Sequence, residues 1–159
     1  MTSSSQTPLA EPMASPSAIV VDANLAIRAV LPTEGKPGIL ERFASWHQSR
    51  IKIYAPGILL SEAVFVIRRG VFDRWITEAE GQVAVEDVLR LGVEIILSDV
   101  GLCQAALAWA SRLGQSKAYD GFYLAVAERM GAELWTADEK LRNRARQLGL
   151  SWVRWIEEE

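Results

Sequence analysis

The sequence has very little of the chemistry that builds disulfides or soft metal sites. Its 159 residues include one cysteine and one histidine, Cys103 and His47. A single cysteine cannot form an intrachain disulfide, and the two residues together cannot supply the four ligands of a structural zinc site. No apolar run approaches the ~20 residues of a membrane-spanning helix. The sequence therefore predicts a protein of the reducing cytoplasm without a membrane span.

Basic residues are not in excess either. There are 17 Lys and Arg against 20 Asp and Glu, which gives a formal net charge of -3. No global charge attracts nucleic acid, so binding to it would need local basic patches or metal ions. The length predicts one domain. Residues 1–17 are rich in Ser and Pro and lack Lys and Arg, which predicts a disordered leader before a domain at 18–159.

Short predicted strands alternate with helical patterns along the chain, and the first of them is an apolar run rich in β-branched residues, which is typical of a buried parallel strand. The predicted strands are residues 18–22, 51–54, 93–97, 133–136 and 151–155. The segment 58–67 is apolar on most sides, which predicts a largely buried helix that ends at Arg68 and Arg69. Alternation of strands and helices is typical of an α/β sandwich around a mainly parallel sheet.

Four acidic residues stand out by their positions. Asp22 ends the first strand and Asp138 follows the fourth strand. Asp120 lies about one turn into the helix before the fourth strand, and Glu62 lies inside the apolar helix. Because ligands bind beyond the carboxyl ends of parallel strands, the acids converge if the first and fourth strands are neighbours. Close carboxylates are costly to ionise unless a divalent cation joins them, and Mg²⁺ and Mn²⁺ prefer oxygen ligands. Such a site suits phosphodiester hydrolysis by an activated water.

Two of these acids also have a structural explanation as helix caps. Asp22 precedes the first predicted helix and is a residue type that caps helices. Asp138 precedes the last predicted helix in the same way. At that point, however, Thr136 and Glu139 already make a capping-box pattern, which favours a functional role for Asp138.

The other two acids are harder to explain by structure. If Ser116 caps its helix, Asp120 is left with only a favourable interaction with the helix dipole. A carboxylate inside an apolar helix is normally paired, protonated or functional. The structural alternative for Glu62 is therefore a buried ion pair with Arg28 or with an arginine from elsewhere in the chain.

Four segments carry these acids in a fixed order: Val20–Asn24, Leu60–Ala63, Ala118–Glu128 and Leu134–Leu141. Their order and spacing resemble those of the PIN-domain nucleases, and most closely the VapC-type toxins of toxin–antitoxin pairs. The resemblance covers nearly all of residues 18–155. It implies a three-layer α/β/α sandwich with a central, mainly parallel sheet of about five strands. One departure is Gly121, which stands where the family tends to have Ala.

The resemblance implies a catalytic and metal-binding set of four acids: Asp22, Glu62, Asp120 and Asp138. Asp22 matches the first metal-binding acid and Asp120 the acid that shares its metal, whereas Asp138 matches an acid that often acts through a bound water. Thr136 matches a hydroxyl beside the site, and Asn24 a polar position next to the first acid. The implied activity is Mg²⁺- or Mn²⁺-dependent RNA cleavage by a homodimeric toxin that a cognate antitoxin protein inhibits.

Candidate RNA-binding residues are the basic side chains of three segments. Lys117 precedes Asp120, and Arg68 and Arg69 end the apolar helix. The third segment, 140–146, carries four basic residues on two faces of its helix, and the alternative there is a solvated face balanced by acids.

Three other functions fit part of the pattern. A phosphoacceptor signalling domain needs an acid pair at the end of the first strand, and here that strand ends in one Asp. A phosphatase with an Asp-x-Asp nucleophile needs a second Asp where the chain has Asn24. A PIN-type domain that binds RNA or a partner without cleavage stays open, although all four acids are present.

Overall fold

The structure, a computed structural model, describes residues 16–31 and 38–158. In these ranges the chain forms five strands: β1 (Ala18–Val21), β2 (Lys52–Pro56), β3 (Glu94–Ile96), β4 (Glu133–Thr136) and β5 (Val153–Trp155). It also forms seven helices: α1 (Ala23–Val30), α2 (Ile39–Gln48), α3 (Ile58–Phe72), α4 (Glu78–Arg90), α5 (Val100–Leu113), α6 (Tyr119–Met130) and α7 (Glu139–Gln147). The predicted leader lies outside the described residues except for its last two positions.

The strands form one parallel sheet in the order β3-β2-β1-β4-β5. The prediction that the first and fourth strands are neighbours is confirmed, with Val21 of β1 aligned with Trp135 of β4. From β1 the chain continues to β2 and β3 on one side of β1, and it then crosses to β4 on the other side. The carboxyl ends of these two strands therefore flank the crevice in which open α/β sheets bind ligands.

The helices cover both faces of the sheet and complete a three-layer α/β/α sandwich, as predicted. Helices α1 to α4 pack among themselves, whereas α5 and α6 pack against each other and α6 also lies on β1 and β2. The apolar residues of β1 and β4 are almost entirely buried. This burial explains why β1 is a continuous apolar run and why Leu134 and Trp135 form the centre of β4.

Gly121 sets the distance between α5 and α6. A Cβ atom at this position would overlap the backbone carbonyl of Ala106 on α5. The glycine that departs from the family pattern is thus required by close helix packing, and it directly follows Asp120. This packing fixes the start of α6 relative to α5.

Helix α3 differs from its prediction in length and in burial. It continues past Arg68 and Arg69 to Phe72. It buries Leu59, Ala63, Ile67 and Gly70, while several of its other apolar side chains are exposed, including Phe65 (68%) and Phe72 (69%). The prediction of a largely buried helix is wrong, because apolar residues here cover a surface as well as the core. None of the helices that the structure describes is long and apolar enough to cross a membrane.

Candidate active site

Asp22 lies at the junction of β1 and α1. Its Oδ1 accepts a hydrogen bond of 2.9 Å from the backbone N–H of Leu25, so Asp22 caps α1. Its Oδ2 accepts a hydrogen bond from the hydroxyl of Thr136. Asp22 is 4% exposed, a degree of burial that capping alone does not require. The capping interpretation is correct, and the side chain also belongs to the crevice between β1 and β4.

Thr136 connects two of the predicted acids from the end of β4. Its buried hydroxyl donates to Asp22 and accepts a hydrogen bond of 2.9 Å from the backbone N–H of Asp138. Asp138 caps α7 and accepts a hydrogen bond of 2.8 Å from the N–H of Lys140. The predicted capping box of Thr136 and Glu139 is therefore wrong. Thr136 acts inside the site, and the cap is the acid itself.

Asp120 is the second residue of α6, close to the amino end of that helix. The helix begins after Ala118 without a side-chain cap, so the predicted cap at Ser116 is wrong. Asp120 Oδ2 accepts a hydrogen bond of 2.7 Å from the side-chain amide of Gln115. A neutral donor thus holds this carboxylate, and no basic side chain of residues 16–31 and 38–158 forms an ion pair with it.

Glu62 is half-buried on α3 and accepts a hydrogen bond of 2.8 Å from the phenol of Tyr123 on α6. Its proposed ion pair with Arg28 is wrong. Arg28 pairs with Glu157 instead, with 3.5 Å between Nη1 of Arg28 and Oε1 of Glu157. Sequence reasoning gave no role to Tyr123 or Gln115. The one signal was spacing, since Tyr123 follows Asp120 by three positions and such residues share a helix face.

The electrostatics place the four acids in one region. Burial raises the pKa of Asp22 to about 7, and the nearby charges of Asp120 and Asp138 add to this rise. Burial also raises the pKa of Glu62, and the charge of Asp120 adds to this rise. The pKa of Asp120 is raised in the same way by burial and by the charge of Asp138. These contributions place the four carboxyl groups within electrostatic range of one another. Their convergence on one metal ion stays a prediction.

The chemistry of this donor set fits a hard divalent cation. In the described part of the chain, no lysine or arginine forms an ion pair with any of the four acids. All their ligating atoms are carboxylate oxygens, which Mg²⁺ and Mn²⁺ prefer. Within residues 16–31 and 38–158, however, no three His, Cys, Asp or Glu side chains already form a cluster that would hold a metal.

The supporting residues predicted from the sequence differ in their positions on the helices and in their partners. Asn24 is exposed in the first turn of α1, two residues after Asp22. Lys117 is exposed just before α6, with its Nζ 5.9 Å from the ring centre of Tyr119. Arg68 and Arg69 follow Glu62 by six and seven positions, about 9–10 Å along α3. Arg69 forms an ion pair of 2.6 Å with Asp73.

The PIN-domain family model matches residues 19–147, and the chain belongs to this family. A comparison with curated proteins finds no match. Among solved structures, PAE2754 from Pyrobaculum aerophilum superposes with a TM-score of 0.64 at 20% identity, covering 88% of this chain and 92% of that one.

Two further structures with the same fold come from toxin systems. VapC20 from Mycobacterium tuberculosis, a toxin that cleaves the sarcin–ricin loop, has a TM-score of 0.54 at 17% identity, covering 79% of this chain and 93% of that one. VapBC2 from Rickettsia felis, bound to a promoter DNA fragment, has a TM-score of 0.60 at 13% identity, covering 87% and 96%. At these identities the likeness concerns the fold.

Proposed function

We propose that the protein is a metal-dependent endoribonuclease. The observation that carries this proposal is the set of four acids around the β1–β4 crevice, three of them with a raised pKa and all without a basic partner in the described residues. A divalent cation offsets the cost of ionising such a set. Membership of the PIN-domain family supports the same conclusion.

Asp22 and Asp120 are the proposed metal ligands, with Glu62 beside them and Asp138 acting through water. The cation, Mg²⁺ or Mn²⁺, would lower the pKa of water and stabilise negative charge on the phosphate. Water attacks the phosphorus while the 3′ oxygen leaves, so the products carry a 5′-phosphate and a 3′-hydroxyl. The RNA 2′-hydroxyl has no role in this reaction. Thr136 orients Asp22 by its hydrogen bond.

The proposed biological role is that of a toxin held in check by an antitoxin protein. The support is the fold shared with VapC toxins and an apolar groove between α1, α3 and α4. The groove has a volume of about 640 Å³, and Trp75 at its rim is 77% exposed. Large exposed apolar surfaces mark protein-binding sites. A homodimer is proposed as well, in line with the exposed Phe65 and Phe72 on α3.

The decisive test is an RNA cleavage assay with the purified protein and the Asp120→Asn variant. We expect cleavage with Mg²⁺ or Mn²⁺, products with 5′-phosphates, and no cleavage in EDTA. The variant should lose more activity than the ~10–100-fold that is typical when a residue supporting a metal ligand is removed, because Asp120 is itself a proposed ligand. Cleavage that persists in EDTA, or that survives the substitution, would contradict the metal mechanism. Expression in cells extends the test, since the wild-type chain should arrest growth and the variant should not.

A PIN domain that binds RNA without cutting it is the second candidate function. It is favoured by the lack of a preassembled metal-ligand cluster among the described residues. In the same assay it predicts RNA binding with no cleavage under any metal condition.

A further inference from the structure

Each of the four acids of the candidate active site is held by neutral hydrogen-bond donors. Glu62, Asp120 and Asp138 accept these bonds at one carboxylate oxygen each, namely Oε1, Oδ2 and Oδ1. In the described part of the chain, nothing donates to their second oxygens. A carboxylate that is fixed through one oxygen can offer the other to a cation. The donors therefore set the direction in which the ligand atoms point.

Asp120 depends on a single donor among residues 16–31 and 38–158, the side-chain amide of Gln115. Nε2 of Gln115 lies 2.7 Å from Oδ2 of Asp120. Gln115 precedes Asp120 by five positions and lies outside α6, which begins after Ala118 without a side-chain cap. The direction of this carboxylate therefore depends on a side chain outside its own helix.

The backbone at Gln115 is fixed by the end of α5. Gly114 adopts the left-handed conformation with a φ of 68°, and its N–H donates to the carbonyl of Ser111 at 3.1 Å. The N–H of Gln115 donates to the carbonyl of Ala110 at 3.0 Å. These two bonds form a Schellman motif, which ends the helix in a defined geometry. Gln115 thus projects from a rigid turn.

Arg144 ties this turn to α7. The sequence left open whether the basic residues of α7 bind RNA or form a solvated face. Nε of Arg144 instead donates a hydrogen bond of 3.1 Å to the carbonyl of Leu113, the last residue of α5. Because Asp138 caps the amino end of α7, one helix carries an acid of the site and supports the turn that holds the donor to Asp120.

We propose that Gln115 is a positioning residue of the metal site, whose amide holds Oδ2 of Asp120 and keeps Oδ1 available to a divalent cation. The inference rests on the proposed function, because it takes Asp120 to be a metal ligand. A neutral amide suits this task, since it orients the carboxylate without cancelling its charge. A lysine or arginine at the same position would form an ion pair with Asp120 and compete with the cation.

The test uses Gln115→Met, which keeps the length of the side chain and removes its donor. We expect the Kd for Mn²⁺, measured by calorimetry, to rise by about 10-fold, as for other losses of a bond that supports a metal ligand. The electron paramagnetic resonance spectrum of the bound Mn²⁺ should change, because it reports the coordination of the ion. The free energy of unfolding in EDTA should stay at the wild-type value, since Gln115 is exposed.

The matched control is Gln104→Met, the same substitution at an exposed position of α5. It should leave the Kd for Mn²⁺ and the spectrum unchanged. The proposal is overturned if Gln115→Met binds Mn²⁺ as tightly as the wild type, or if Gln104→Met weakens binding equally. It is also overturned if Gln115→Met loses stability in EDTA in step with its loss of affinity, which would give Gln115 a structural role.

Failure of the proposed function gives a different result. The inference requires metal binding and not cleavage, so a chain that never cuts RNA can still bind Mn²⁺ more weakly after Gln115→Met. Conversely, cleavage with Mn²⁺ that is lost in Asp120→Asn, combined with an unchanged Kd in Gln115→Met, would keep the nuclease and reject the positioning role.

Discussion

The phenol of Tyr123 donates a hydrogen bond of 2.8 Å to Oε1 of Glu62 and thereby joins α6 to α3 at the edge of the acid site. Tyr123 is 1% exposed, and burial, together with the nearby charge of Glu62, raises the pKa of its phenol above the ordinary value, so it stays a neutral donor. Its neighbour Asp120 lies one turn earlier on the same helix. A single element therefore carries one acid and orients another.

Tyr123→Phe should weaken metal binding while leaving the fold intact. The substitution removes only the hydroxyl, and loss of such a supporting hydrogen bond typically costs 10–100-fold in metal affinity or activity. We expect the Kd for Mn²⁺, measured by calorimetry, to rise by about 10-fold. Tyr119→Phe is the control on the same helix, because Tyr119 is 45% exposed and, among the described residues, its hydroxyl donates to none of the four acids. Equal Mn²⁺ affinity in wild type and Tyr123→Phe would remove Tyr123 from the site.

The raised pKa of Asp22 predicts how the stability of the metal-free protein depends on pH. Between the ordinary value of 3.8 and the folded value of about 7, the folded chain holds a proton that the unfolded chain has released. Stability in EDTA should therefore fall as the pH rises through this window and stay low above it. Asp22→Asn should flatten this dependence. The free energy of unfolding in urea is measured at pH 5 and pH 8. An equal change between the two pH values in the wild type and in Asp22→Asn would contradict the assignment.

Gly121→Ala should destabilise the protein by about 1–3 kcal/mol or more, as overpacking does. The added methyl overlaps the carbonyl of Ala106 and would separate α5 from α6. Gly70→Ala is the control within a helix, since its new Cβ makes ordinary contacts of 3.5 Å with Ile76. Helix propensity then predicts a gain of up to ~1 kcal/mol for the control. Denaturant unfolding gives the free energy of unfolding of both variants. A Gly121→Ala variant as stable as the wild type would contradict the prediction.

Much of the architecture was predictable because its signals are local. The apolar, β-branched run of β1 is typical of a buried parallel strand. The alternation with helices limits the topology to a few arrangements. The approach of Asp22 to Asp138 was predicted only on the condition that β1 and β4 are neighbours, and the structure supplies that condition. Glu62 was noticed because a carboxylate among apolar neighbours demands an explanation.

The remaining features depend on contacts between distant segments, which local patterns do not encode. Nothing near Tyr123 indicates that its hydroxyl reaches Glu62, and nothing near Arg142 indicates that Trp155 and Glu158 bury it. The exposed side of α3 was predicted to be buried, because the sequence does not distinguish an apolar residue in the core from one on a binding surface. Thr136 was predicted to cap α7 because it stands near the start of that helix. Its hydrogen bond to Asp22 joins residues 114 positions apart, so the local sequence does not indicate it.

Thr136→Val should damage both stability and the acid site, because valine keeps the shape of threonine and lacks the hydroxyl. The change leaves Oδ2 of Asp22 and the N–H of Asp138 without this partner in a buried setting, at a cost of about 1–3 kcal/mol. The loss should be larger at pH 8, where Asp22 is ionised, than at pH 5. Thr136→Ser keeps the hydroxyl and should retain most of the stability and Mn²⁺ affinity. A double-mutant cycle with Asp22→Asn isolates the pair, and additive effects in that cycle would show that Thr136 and Asp22 do not act together.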